Sequence, residues 1–200
     1  MDSKELGTAF AWEVVRASGQ ELEGDFAGGV QTLRDFWEAH RSEDHDGWLQ
    51  SAVLLQQGSI INDSGDLAGA LKAFRAVKAK PEDRFFYLLL AYCLAKTLDE
   101  VGEPQEAFDE LTHRLNEAGG APDRSDLGLV TLYMDLAARL GQDLPSRHRD
   151  LVRDAIRAWE IPLTESESQN PEKLMAALAA ANEKRREFAA NQRTSPISPP

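Results

Sequence analysis

Apolar residues in this chain recur at helical spacing almost throughout, and no stretch shows the strict alternation of a half-buried strand. Leu6, Phe10, Val14 and Ala17 predict a first helix over about 3–17, closed by Gly19. Asp25 opens a second, marked by Phe26, Val30, Leu33 and Trp37, in which Gly28-Gly29 permits close packing against the first. The polar segment from Arg41 to Gly47 reads as a linker. A third helix is expected over 48–64 and a fourth from Gly65-Asp66, with Leu67, Ala70, Leu71, Phe74 and Val77 on one face. Pro81 suits the first position of a fifth helix running to about Val101, apolar on most sides and therefore the most buried. Gly102 and Pro104 then separate it from a sixth helix carrying Phe108, Leu111 and Leu115.

Beyond the break at Gly119-Gly120-Ala121-Pro122, helices are predicted over about 125–140 and 145–159. Residues 163–170 read as a linker. Asn170-Pro171-Glu172 then places an N-cap, a proline and an acid where a helix begins, so a final helix is expected over 171–193. Residues 194–200 are rich in Ser and Pro and read as a disordered tail. The fold class that follows is all-α.

The third to sixth helices repeat. Gly65, Ala70 and Phe74 return as Gly102, Ala107 and Leu111, and the differences 102−65, 107−70 and 111−74 all equal 37. Gly24-Asp25 echoes Gly65-Asp66, which makes the first two helices a degenerate hairpin of the same type. A fixed period of this length marks stacked helical hairpins.

Within residues 51–82, Leu54, Gln57-Gly58, Ile61, Ala70, Phe74 and Pro81 occupy the places of a tetratricopeptide-repeat pattern, which this stretch resembles. Ala91, Leu94-Ala95, Leu98, Ala107 and Leu111 match it more loosely in the next hairpin, without the glycine and with a longer period. The resemblance implies stacked antiparallel helical hairpins, a right-handed α-solenoid of tetratricopeptide-repeat type over residues 1–162, with an extra C-terminal helix. It also implies a groove lined by the first helix of each hairpin. Carried over position by position, that lining includes Ala52, Leu55, Ser59, Asn62 and Asp63, then Leu89, Tyr92, Lys96, Asp99 and Glu100. The acids departs from the basic, amide-rich lining of family members that clamp a terminal carboxylate, and favour a neutral or basic ligand.

Charge narrows the partners. The 200 residues carry 34 acids against 22 bases, a net charge of −12, which disfavours nucleic acid and suits a basic partner. Only the last segment is basic: residues 171–200 hold Lys173, Lys184, Arg185, Arg186 and Arg193. That helix could cap the last hairpin or fold across an acidic groove. The single Cys93 lies in an apolar run and reads as an inert buried thiol, and no disulfide can form within the chain. No apolar run is long enough to span a bilayer and no signal peptide is evident at the N-terminus, so a cytoplasmic location is expected.

A search for chemistry returns little. His40, Asp44, His45 and Asp46 sit in a polar linker without metal-site spacing, and no phosphate loop, nucleophile elbow or zinc-protease motif is present. The reading is a protein that is not an enzyme, needs no cofactor or metal, and binds another protein or peptide through a partly acidic groove. Leu55, Ser59, Asn62, Asp63, Tyr92, Lys96, Asp99 and Glu100 are its candidate contacts. Adaptor, chaperone and toxin-neutralising roles, including that of an immunity protein, stay open. The alternative is a structural module that forms a homodimer by swapping its C-terminal helix.

Overall fold

The computed structural model describes residues 3–118 and 124–194, and among these every regular element is helical. The chain forms two compact units that divide between Glu117 and Ala118.

The first unit holds α1 (Ser3–Leu22), α2 (Phe26–His40), α3 (Trp48–Asp63), α4 (Leu67–Ala76), α5 (Arg84–Glu100) and α6 (Pro104–Glu117). Each helix packs on the next, and α3 also touches α1 and α5. The order is that of three hairpins in succession. Two of their turns share one device: a glycine in the left-handed region followed by an aspartate cap. Gly24 and Gly65 have φ of +84° and +89°, and Asp25 and Asp66 accept from the backbone N–H of Gly28 and Gly69 at 2.9 Å. Gly102, with φ of +89°, closes α5 in the same way.

Size complementarity between the paired helices sets how closely they approach. A Cβ placed on Gly58 would lie 2.4 Å from Cε1 and 2.6 Å from Cδ1 of Phe74, so the ring occupies the space that a side chain would take. Phe74 is buried with Leu55, Ala70, Val77, Leu90 and Leu94. The matching positions in the other hairpins are Ala17 and Leu33, then Ala95 and Leu111, all buried. The separations 33−17, 74−58 and 111−95 all equal 16. The first hairpin is thus a full member of the series, with Gly29 in the place of Ala70 and Ala107. A Cβ on Gly29 would come within 3.0 Å of the Ala17 carbonyl oxygen, as expected where α1 and α2 cross closely.

Several boundaries differ from those expected. Gly19 does not end the first helix; α1 continues to Leu22, because the reversal comes at Gly24, where Asp25 N–H donates to the Gln20 carbonyl at 2.8 Å. Pro81 does not open the fifth helix. The Asp83 carboxylate caps Phe86 N–H at 3.3 Å, and α5 begins at Arg84. Tyr87, Leu88, Leu90, Ala91, Leu94, Ala95 and Leu98 of α5 are buried, although Phe85 at its start stays 60% exposed.

The second unit contains a 3-10 turn (Arg124–Asp126), α7 (Leu127–Leu140), α8 (Ser146–Arg157), α9 (Glu165–Ser168) and α10 (Pro171–Thr194). The segment expected as a linker at 163–170 instead carries α9. Thr164 and Glu167 form a capping box there, and Leu163 and Ser168 are buried. The C-terminal helix α10 packs on α7, α8 and α9 through Leu174, Leu178 and Ala181. Asn182 Nδ2 donates to Thr131 Oγ1 at 2.9 Å, and Lys184 Nζ donates to the Trp159 carbonyl at 3.1 Å. At the centre of this unit His148 is 1% exposed and its Nδ1 lies 2.7 Å from the Tyr133 hydroxyl. The expected break at 119–122 and most of the expected tail at 194–200 lie outside the described residues. No described helix is long and apolar enough to cross a membrane.

Candidate functional site

The C-terminal ends of α1, α3 and α5 meet along one edge of the first unit. Asn62, in the last turn of α3, donates through Nδ2 to Thr97 Oγ1 and to Glu100 Oε2 on α5, both at 3.0 Å. The Asp63 carboxyl also stands within hydrogen-bonding reach of Glu21, which brings the end of α1 to the end of α3. Partial burial, then hydrogen bonding to Asp63 and the Asp63 charge, push the Glu21 carboxyl above its ordinary value. Two ionised carboxylates repel, so a hydrogen bond between them requires that one keep its proton.

The backbone adds to the same sign. A helix C-terminus carries about half a negative charge, and proteins usually place Lys, Arg or His there. None of α1, α3 and α5 has a basic residue in its last turn. Instead Glu21, Asp63, Asp99 and Glu100 stand at these ends. Lys96, one turn back on α5, reaches Glu100 at 3.6 Å and offsets part of the charge.

Between α3 and α5 a cleft of about 150 Å³ opens at this edge. Of the eight expected contacts, Ser59, Asn62, Asp63, Tyr92 and Lys96 line it together. Glu100 borders it through its bond from Asn62, and Asp99 is half-buried beside Glu100. Leu55 does not belong to the surface. It is 2% exposed and sits in the core against Phe74 and Leu90, since its position on α3 faces α4 and α5 rather than solvent.

Four participants were not expected. Phe74, Cys93 and Thr97 form part of the cleft wall, and Glu21 joins the acidic edge from α1. Glu21 was legible in principle: its place in the hairpin series corresponds to Asn62, since 62−21 equals the 41 that separates Gly24 from Gly65. Burial pushes the Cys93 thiol up to about 11, so the residue is a wall and not a nucleophile at neutral pH. Ser59 spends its hydroxyl on the Leu55 carbonyl at 3.2 Å. Among the described residues no three His, Cys, Asp or Glu side chains are grouped so as to hold a metal ion. His40, the last residue of α2, contacts Glu43 of the polar linker at 2.8 Å.

What this edge can do chemically is attract and orient positive charge, with the half-buried Tyr92 beside it. Comparison with known protein families, with curated proteins and with solved structures returned no match.

Proposed function

We propose that this chain is a non-enzymatic, cytoplasmic binding module of stacked helical hairpins, similar in plan to tetratricopeptide repeats, which takes a basic segment of a partner protein at the acidic edge of α1, α3 and α5. The observation that carries the reading is the convergence of three helix C-termini that have no basic residue in their last turn with Glu21, Asp63, Asp99 and Glu100. Such an arrangement costs stability in the isolated protein, and a cation brought by a partner relieves it. The repetition of the size-matched pairs at positions 17 and 33, 58 and 74, and 95 and 111 supports the stacked plan.

The rival reading, homo-oligomerisation through the terminal helix, has less support, because the apolar positions Leu174, Leu178 and Ala181 of α10 are covered within their own unit. Capture from native lysate tests the proposal, with the intact protein as bait, elution by a salt step and mass-spectrometric identification. A basic protein released by moderate salt, and no longer captured by the Asp63→Lys, Asp99→Lys, Glu100→Lys variant, is the expected result. Equal capture by both baits would remove the acidic edge from the mechanism.

A further inference from the structure

The second unit contains a pocket that the reading above does not use. It measures about 200 Å³ and lies among α7, α8, α9 and the start of α10. Met134 and Ala137 from α7, Leu144 from the following loop, and Leu174 and Met175 from α10 form its apolar walls, and Gln142, Asp143, Ser168 and Gln169 add polar lining. Of the apolar five, all but Met175 are buried.

Into these walls α8 brings one cation. Arg149 lines the pocket, and its Nε is shut off from solvent without a hydrogen-bond acceptor. That is unusual in this protein. Arg114, Arg139 and Arg153 bond carboxylates through Nε, and Arg124 and Arg157 bond carbonyls the same way. A shielded guanidinium N–H without an acceptor is a costly group, and its natural complement is a carboxylate, which the guanidinium fork grips in two places. The one carboxylate on the lining is Asp143, which is exposed.

We infer that this pocket binds a small apolar carboxylate, with the acid group on Arg149 and the hydrocarbon part among Met134, Leu144 and Leu174. Size limits the ligand. A dry cavity of about 150 Å³ holds benzene, and drug-sized ligands need about 300 Å³ or more. The pocket therefore suits one ring, or a short branched chain, plus its carboxylate. That chemistry has two sources: a free acid, or the C-terminal residue of a peptide with an apolar side chain.

Phenylacetate and its neutral analogue phenylacetamide are the probes, titrated into the full-length protein and followed by amide shifts in two-dimensional NMR. Phenylacetate should bind saturably, at least tenfold more tightly than the amide, with shifts centred on residues 134–149 and 168–175. Arg149→Gln should abolish that preference while leaving amide binding in place. Ala138→Trp, at the exposed rim, should block both ligands in a folded protein, and it serves as the test should Arg149→Gln fail to fold. A pentapeptide ending in Phe, against its C-terminally amidated form, separates the two sources. Equal affinity for acid and amide, a preference that survives Arg149→Gln, or binding that survives Ala138→Trp would each overturn the inference.

Discussion

Gly58→Ala is the sharpest test of how the first unit is packed. On an exposed helix this change stabilises, because alanine is favoured over glycine by about 1 kcal/mol. Here the new Cβ would sit 2.4 Å from Phe74 Cε1, where ordinary contact begins near 3.4 Å, so the ring must retreat by about 1 Å. It has little room to do so: Phe74 is 2% exposed and held by Ala70, Leu90 and Leu94. Overpacking of this kind costs about 1–3 kcal/mol. Strain outweighs propensity, and the net effect should be a loss of up to about 2 kcal/mol. Urea denaturation gives the total, and native-state hydrogen exchange should localise the loss to α3, α4 and α5. The pairing also predicts the rescue. Phe74→Leu alone leaves a void over Gly58 and destabilises, whereas Gly58→Ala with Phe74→Leu recreates the Ala–Leu pairing of the other two hairpins. The double variant should be more stable than the sum of the singles by about 1 kcal/mol, a coupling typical of touching residues. A Gly58→Ala protein as stable as wild type, with additive effects in the double variant, would refute the close approach.

Three further outcomes follow from charges and thiols. Burial, with Arg147 nearby, lowers the His148 pKa from 6.5, so the unfolded chain binds this proton more readily than the folded one. Stability should therefore be full above pH 6.5 and decline as the pH falls from there toward the folded value; thermal melts of wild type and His148→Gln should differ in slope across that window. Glu21 is displaced the other way, so the folded state holds its proton more tightly and loses stability as the pH rises through the folded value from 4.5. Glu21→Gln should thus raise the melting temperature at pH 7 while weakening capture of a basic partner, and an unchanged melting temperature would contradict the Asp63 repulsion. Cys93, pushed up to about 11, should resist iodoacetamide at pH 8, where about one thiol in a thousand is ionised. Rapid alkylation of the folded protein would show the thiol to be activated.

The parts of this fold that could be read from the sequence are those set by local chemistry. Helical spacing, Gly-Asp turns and Asn170-Pro171 gave the elements and most of their order. What resisted was decided by packing or by competing caps. Gly19 has helix-ending chemistry, yet α1 runs through it because the reversal five residues further on, at Gly24, makes the better hydrogen bonds. Pro81 lost the start of α5 to Asp83, whose carboxylate satisfies a free N–H that proline cannot. The site followed the same division. Ser59, Asn62, Asp63, Tyr92 and Lys96 share a cleft because hairpin register carries them there. Leu55 falls on the same linear pattern but one step inward. Arg149 left no trace at all: a shielded Nε without an acceptor beside a pocket exists only once α7, α8 and α10 are assembled.

The unequal sizes along the hairpin series bear on how the chain avoids pairing the wrong helices while it folds. Consecutive near-copies in one chain invite misassembly, in which a second helix docks on the first helix of a neighbouring hairpin. Ala17 and Ala95 each carry a methyl where Gly58 has none, so the ring of Phe74 fits over only one of the three first helices. Leu33 or Leu111 placed over Gly58 would leave a gap instead. Each mismatch costs packing that the correct pairing keeps, and the middle hairpin so acts as a sorting device that fixes the order of its neighbours.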